Sequence, residues 1–283
     1  MLTAEKQTHQ PLETSLDSSF KAAMDNFYGI AFEPGFSSIC LERGVDVDAT
    51  DSHEYWRAVA DFAYDRSAEM REAGKDESDI ALMELYAAAP SYFFDQATLD
   101  SNPNLHTQEK QYLREDASYF QGLLKRTVKL WPDITASTLS LQLMNIANIS
   151  IEDRDFKQHA ANSIRASVKG AQHEIAFGQL LENTGRNFRE ATVEEDVRGI
   201  DYVVERPEGG VDYIDVKASL KKIENHGRLS DLFARKLDGG IVMHSLLRDS
   251  ELGDNFHVSE QVAAERAQYL ERVLTYQVGA EVS

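Results

Sequence analysis

Two short segments rich in Val, Ile and Tyr place the strongest constraint on the fold of this 283-residue chain. They occupy residues 200–204 and 211–218, and the loop between them, Arg206-Pro-Glu-Gly-Gly210, has the composition of a hairpin turn. A further apolar run at 241–247 predicts a buried strand. Apolar residues at helical spacing predict helices around these strands, over residues 162–183, 229–237 and 258–277. Alternating helices and strands indicate an α/β unit and not a helical bundle.

The N-terminal half has the pattern of a helical domain. Pro90 is expected to end the second of its helices, because proline lacks an N–H donor. Segments 33–51 and 95–107 are rich in turn-forming residues and are expected to be loops. The predicted helices cover residues 52–74, 77–89, 108–131 and 135–147. We therefore expect a mainly α-helical domain over residues 1–155, serving substrate selection or oligomerisation, before an α/β domain over residues 156–283.

The charge of the chain argues against nucleic acid as a partner, but its distribution does not. A net charge of −19 repels polyanions at long range. Positions 217–236, however, hold six basic and two acidic residues. A basic island of this kind can face a phosphate backbone while the remaining surface stays repulsive. A solvated surface of mixed charge is the alternative interpretation.

Several classes of protein are disfavoured by what the sequence lacks. Cys40 is the only cysteine, so no disulfide can form within the chain, which suits a reducing compartment. No segment approaches the roughly 18 consecutive apolar residues of a membrane span, and the N-terminus does not resemble a signal peptide. The sequence has no phosphate-binding loop of the Walker type and no zinc-ligand spacing. We expect a soluble, cytoplasmic protein with no membrane partner and no nucleotide cofactor.

Four ionisable residues stand out because they occupy positions where the pattern predicts burial. Asp215 and Lys217 share one face of the strand that follows the hairpin loop, since side chains alternate along a strand. Asp201 begins the neighbouring strand. Glu174 falls inside the apolar arc of the upstream helix, whereas the adjacent His173 is expected on its exposed side. Buried ionisable groups are costly unless they pair or hold a metal.

Carboxylates grouped around a lysine suit the hydrolysis of a phosphodiester. Asp201 and Asp215, helped by the backbone carbonyl of Val216, can bind Mg²⁺ with several waters retained. The cation would polarise the phosphate and lower the pKa of a bound water. Lys217 would orient that water or offset charge on the phosphorane oxygens. Glu174 would hold the water shell of the metal or help to bind a second ion.

At these residues the sequence resembles the PD-(D/E)xK phosphodiesterase superfamily, which includes restriction endonucleases, Holliday-junction resolvases and several repair nucleases. The matching segments are Gly170-Ala-Gln-His-Glu174, Gly199-Ile-Asp201 and Asp215-Val-Lys217. Ile200 stands where the proline of the superfamily's name would be. The resemblance covers about residues 160–250. It implies a restriction-endonuclease-like core, in which a helix precedes a mixed central sheet with flanking helices.

The same resemblance implies a Mg²⁺-dependent DNA endonuclease, with Mn²⁺ as a possible substitute for Mg²⁺. A chain of this size with a long addition is more like a type II restriction endonuclease than a minimal resolvase; a structure-specific resolvase or repair nuclease is the alternative. Cutting both strands requires two active sites, so a homodimer is expected. Contacts with DNA are assigned to four residues of the basic island, Ser219, Lys221, Lys222 and Arg228.

Two other classes of protein compete with an enzyme. The first is a non-catalytic nuclease-fold module that recruits partners through its acidic helical half; the intact Asp201, Asp215 and Lys217 disfavour it. The second is an acidic mimic of DNA, which fits the net charge but gives the four ionisable residues no purpose.

Overall fold

The structure is a computed structural model that describes residues 21–25, 27, 29, 34–50, 52–102, 104–151, 153–218, 233–235 and 241–280. Over this part of the chain the fold is mixed α/β, with helices predominant and a small mixed sheet in the C-terminal half. The predicted class is therefore confirmed. The chain packs as two compact units, Met1–Ala88 and Ala89–Ser283. The division into domains at residue 155 stays a prediction.

The first unit contains α1 (Pro34–Arg43), α2 (His53–Glu72) and the start of α3 (Glu77–Ser101). Ser52 caps α2, since its side chain accepts a hydrogen bond from the Tyr55 backbone N–H. The loop predicted for 33–51 is wrong over the length of α1. Its Phe36 is fully buried and packs edge-to-face on Tyr55, a contact between elements that local composition does not reveal.

Helix α3 passes through Pro90, so the predicted helix end at Ala89 is wrong, and so is the loop predicted to begin at residue 95. Proline removes one backbone hydrogen bond and strains the preceding turn. Every residue from Ile80 to Phe93 is buried. Burial of this long apolar segment offsets the loss at Pro90, since packing supplies most of the stability of a helix in a protein.

Three long helices lead to the sheet in the second unit: α4 (Thr107–Leu130), α5 (Ala136–Ser150) and α6 (Arg154–Thr184). Helices α4 and α5 match their predicted ranges closely. Helix α6 begins eight residues before its predicted start, where Asp153 caps it by accepting a hydrogen bond from the Phe156 N–H. It ends at Thr184, one residue beyond the predicted end, and its C-cap is Gly185, whose φ of 71° is left-handed.

The sheet has the strand order β1-β2-β3-β5-β4. Strand β2 runs antiparallel to both β1 and β3, β5 runs parallel to β3, and β4 is antiparallel to β5. The strands are β1 (Phe188–Glu190), β2 (Tyr202–Glu205), β3 (Val211–Lys217), β4 (Phe233–Arg235) and β5 (Ile241–His244). The β2–β3 hairpin and the β5 strand confirm the prediction. Strand β4 contradicts the helix predicted at 229–237, the remainder of which lies outside the described residues.

The described part of the second unit also contains α7 (Val193–Val197), α8 (Asp249–Leu252) and α9 (Glu260–Ala280). One core joins the sheet to α6 and α9. Its buried members include Ile214, Val216, Met243, Phe177, Leu181, Leu270 and Leu274. The apolar face of α6 therefore lies on the sheet, which brings Glu174 to the strands that carry the other predicted acids. Within the described residues, no helix combines the length and apolar character needed to cross a membrane.

Candidate active site

The acid at the start of β2 is tied to the backbone of β3. The N–H of Asp201 donates to the Ile214 carbonyl at 2.7 Å, and its Oδ2 accepts from the Val216 N–H at 2.6 Å. The residue is only 8% exposed. Because the N–H and C=O of one strand residue point to the same side, the Val216 carbonyl lies on the side of β3 that faces Asp201. The structure thus brings together Asp201 and the Val216 carbonyl.

The second acid and the lysine share a face of β3, as side-chain alternation requires. Asp215 is buried, and the Lys217 Nζ forms an ion pair with its Oδ1. Burial alone would lower the pKa of Lys217. The negative charges of Asp215, Asp201 and Glu174 outweigh burial and raise that pKa, so Lys217 carries a positive charge at neutral pH.

The third acid comes from α6 and meets a partner that the sequence did not indicate. Glu174 Oε2 lies 3.1 Å from the Nζ of Lys125 on α4, with 19% and 17% of the respective side chains exposed. Burial would lower the pKa of Lys125, but the charges of Glu174, Asp201 and Asp196 outweigh it and raise that pKa. Since Lys125 precedes Glu174 by 49 positions, no local spacing connects the two residues. The only local signal is its place beside the apolar Leu123 and Leu124.

Helix α6 approaches β2 unusually closely beside Glu174. The Tyr202 hydroxyl donates a hydrogen bond to the Glu174 carbonyl at 2.8 Å. A Cβ added to Gly178 would lie 2.7 Å from that hydroxyl oxygen, closer than real side chains approach. The absence of a side chain at Gly178 therefore allows the helix that carries Glu174 to lie against the strand that follows Asp201.

The cluster formed by Glu174, Asp201, Asp215, Lys217 and Lys125 has three carboxylates and two lysines. Burial raises the pKa of Asp201 well above its ordinary value, and the charges of Glu174 and Asp215 raise it further. The Lys217 charge and the Val216 N–H oppose this rise without cancelling it. Negative charge is thus incompletely compensated at Asp201, and a bound cation would relieve it.

The oxygen donors of this cluster fit a hard divalent cation. Mg²⁺ is usually held by one or two carboxylates together with several waters. Asp201, Asp215 and the Val216 carbonyl are oxygen donors of this kind, and Asp201 and Asp215 are close enough for their charges to interact. In the part of the chain that the structure describes, no three His, Cys, Asp or Glu side chains already surround a cation position. Because the Lys217 ammonium pairs with Asp215, a cation that binds Asp215 would compete with that ammonium.

A Ser–His–Asp group lies on another side of α6. His173 Nδ1 is 2.6 Å from the Ser245 hydroxyl, and its Nε2 is 3.3 Å from Asp249 Oδ1. His173 is 2% exposed, so its predicted surface position is wrong; burial lowers its pKa, against the opposing effect of Asp249. Ser245 has no exposed surface and cannot reach a substrate. The group instead fixes the turn after β5, where Leu246 has a left-handed φ of 64°.

The residues assigned to DNA contact, Ser219, Lys221, Lys222 and Arg228, lie outside the described residues. The structure therefore brings together the four predicted catalytic residues and adds Lys125 to them. No protein-family model, curated protein or solved structure gives a significant match to this chain. The functional assignment consequently rests on the geometry of the cluster and on the motif resemblance.

Proposed function

We propose that this protein is a Mg²⁺-dependent DNA endonuclease built on a restriction-endonuclease-like core. The observation that supports this most strongly is the convergence of Glu174, Asp201, Asp215 and Lys217, drawn from one helix and two strands. Burying three carboxylates together is unfavourable for folding, and Lys217 and Lys125 compensate only part of their charge. Ionisable groups held in such an unfavourable arrangement are typical of a functional site.

The order of elements also supports a restriction-endonuclease-like core. Helix α6 precedes the antiparallel β1, β2 and β3, and β5 then joins the sheet parallel to β3. The motif acids occupy the helix, the start of β2 and the end of β3. A mixed sheet preceded by a helix that carries a motif acid agrees with the core that the resemblance implies, and so supports the proposal.

Each member of the cluster has a distinct role in this proposal. Asp201, Asp215 and the Val216 carbonyl would hold Mg²⁺, which supplies Lewis-acid activation of the phosphate and a more acidic water. Lys217 is protonated at neutral pH, so it orients the attacking water and stabilises negative charge and does not serve as the base. Glu174, held by Lys125, would accept hydrogen bonds from the waters that a bound metal retains.

The class of nuclease and its oligomeric state are proposed from the resemblance. A type II restriction-endonuclease-like enzyme would cut both strands of duplex DNA, which requires two active sites and hence a homodimer. A structure-specific resolvase or repair nuclease would use the same chemistry on a different form of DNA. The two are separated by the substrate that is cut, and sequencing of the cleaved ends shows whether cleavage is sequence-specific.

The direct test is cleavage of supercoiled plasmid by the purified chain, with Mg²⁺, with Mn²⁺ and with EDTA. We expect metal-dependent nicking or linearisation that is lost in Asp215→Asn and in Lys217→Met. Asp212→Asn is a matched control, because Asp212 is a buried acid on the same strand that pairs with Arg206 outside the cluster. Cleavage that persists in EDTA, or in both cluster variants, would contradict the proposal. A folded chain with no activity on any nucleic acid would favour the non-catalytic module.

A further inference from the structure

Basic residues follow one face of α4 toward the acidic cluster. Positions on this face are spaced three or four residues apart, which is the separation of neighbours along a helix surface. They are Lys110, Arg114, Ser118, Gly122, Lys125 and Lys129. At about 1.5 Å of rise per residue, the row extends for about 28 Å. The two positions at its centre carry small side chains, so the row has the form of a cleft floor.

Two adjoining clefts lie along this row, and the β1–α7 segment forms their opposite wall. The first has a volume of about 250 Å³ and contains Gly122, Lys125 and Lys129. The second has a volume of about 680 Å³ and contains Lys110 and Arg114. Val193 lines both clefts, so they are neighbours along α4. Together they form what we term the α4 cleft.

The α4 cleft is basic within a strongly acidic chain. Six basic and four acidic side chains line it, whereas the chain as a whole carries a charge of −19. On its far wall Glu190 pairs with Lys129, and Asp196 accepts a hydrogen bond from Ser118. A phosphate that binds here would replace a carboxylate as the partner of a lysine. Such competition weakens indiscriminate binding of polyanions.

Lys125 joins the α4 cleft to the catalytic cluster. It lines the cleft and at the same time contacts Glu174 at 3.1 Å. A strand whose phosphates follow the row would therefore arrive beside Glu174 and Asp201, whose charges act on Lys125. We propose that the α4 cleft binds the phosphodiester backbone of the substrate strand and leads it to the cluster. This inference rests on the proposed nuclease function and names the surface that holds its substrate.

The inference can be tested by binding in EDTA, where the proposed chemistry cannot proceed. Fluorescence anisotropy of a labelled oligonucleotide, single-stranded and duplex, would compare the full chain with two cleft variants. The first variant removes three positive charges from the cleft by combining Arg114→Gln, Arg126→Gln and Lys129→Gln. Its matched control removes the same charge from exposed positions outside the cleft and combines Arg154→Gln, Arg165→Gln and Arg272→Gln. The second, Gly122→Leu, fills the floor of the cleft without changing charge, with Gly122→Ala as its control.

We expect the cleft charge variant to bind about tenfold more weakly than its control and to lower the salt dependence of log K by about 2 to 3. Gly122→Leu should weaken binding and plasmid cleavage together, and by more than the smaller Gly122→Ala. A Cβ at position 122 meets nothing within 4 Å, so these variants are expected to fold; circular dichroism would verify this.

Two negative results have different meanings. If the wild-type chain cuts plasmid but the cleft variants bind and cut like their controls, the α4 cleft is not the substrate track and the nuclease proposal is unaffected. If the wild-type chain neither binds nor cuts nucleic acid, the proposed function fails, and this inference fails with it.

Discussion

The carboxylate of Asp201 accepts a hydrogen bond from the Val216 N–H at 2.6 Å and so continues the β2–β3 pairing beyond the last strand residue. The hydrogen bond places an acid where a backbone carbonyl would otherwise be the acceptor. It also directs Asp201 toward the side of β3 that carries the Val216 carbonyl. One local contact therefore explains how a carboxylate, a backbone carbonyl and the neighbouring Asp215 come together.

The raised pKa of Asp201 predicts a cost to stability at neutral pH. Its folded-state pKa lies above the unfolded value of about 3.9, so the folded chain binds this proton more tightly. Stability is then lost as the pH rises from about 3.9 through the folded-state pKa. Asp201→Asn keeps an acceptor for the Val216 N–H and removes the charge. We expect it to raise the free energy of unfolding by about 1 kcal/mol in EDTA at neutral pH, measured by urea denaturation.

Asp212→Asn provides the comparison for this experiment. Asp212 is also buried, but it pairs with Arg206, so losing its charge leaves a partner uncompensated and is expected to destabilise the fold. If Asp201→Asn destabilises the chain as much as Asp212→Asn, the charge of Asp201 is satisfied in the folded state and the electrostatic argument is wrong.

The close approach of α6 to β2 predicts a steric effect at Gly178. Gly→Ala in a helix normally stabilises by about 1 kcal/mol, which is expected for Gly122→Ala, where an added Cβ meets nothing. At Gly178 the added Cβ meets the Tyr202 hydroxyl, so Gly178→Ala should destabilise by about 1 to 3 kcal/mol. Tyr202→Phe removes that oxygen and should reduce the penalty. A double-mutant cycle with no coupling between the two positions would refute the close contact.

The Lys125–Glu174 pair predicts strong coupling between α4 and α6. Lys125→Met leaves the largely buried Glu174 without its cation and should destabilise by about 3 kcal/mol. Adding Glu174→Gln should recover part of that loss, with a coupling energy of about 1 to 2 kcal/mol in urea denaturation. Additive effects of the two substitutions would show that the ion pair does not contribute.

The lowered pKa of His173 predicts a loss of stability in acid. The unfolded chain binds this proton more readily than the folded chain, so stability is retained above a pH of about 6.5 and falls as the pH drops below it. His173→Gln removes the titrating group and should flatten this part of the profile. Free energies of unfolding measured on both sides of the His titration would be compared for the two chains. Identical slopes would contradict the assignment to His173.

The β2–β3 hairpin and the face of β3 that carries Asp215 and Lys217 could be predicted because their signals are local. Side chains alternate along Val211–Lys217, and turn residues flank the strand, so the shared face of Asp215 and Lys217 follows from the sequence alone. The position of Glu174 followed in the same way from helical periodicity. These inferences need no knowledge of distant contacts.

What could not be predicted depends on contacts between distant elements. Pro90 indicates the end of a helix by its own chemistry, and only the burial of the surrounding segment overrides that tendency. His173 fits the polar side of α6 in a helical projection, yet it is buried and hydrogen-bonds to Ser245, which lies 72 residues further along the chain. In the sequence, nothing distinguishes Lys125 from the other charged residues of α4; its role becomes visible only where Glu174 of α6 contacts it. The surroundings of such side chains depend on the fold and not on their neighbours in sequence.

The central claim is that Asp201 and Asp215 hold one Mg²⁺, and the metal dependence of stability tests it most directly. Thermal unfolding of the wild-type chain would be compared in EDTA and in increasing Mg²⁺, beside Asp201→Asn and Asp215→Asn. We predict stabilisation of the wild type by about 2.7 kcal/mol at a hundredfold excess over Kd, and no saturable change in either variant. Equal stabilisation of all three chains, or none in the wild type, would contradict the account.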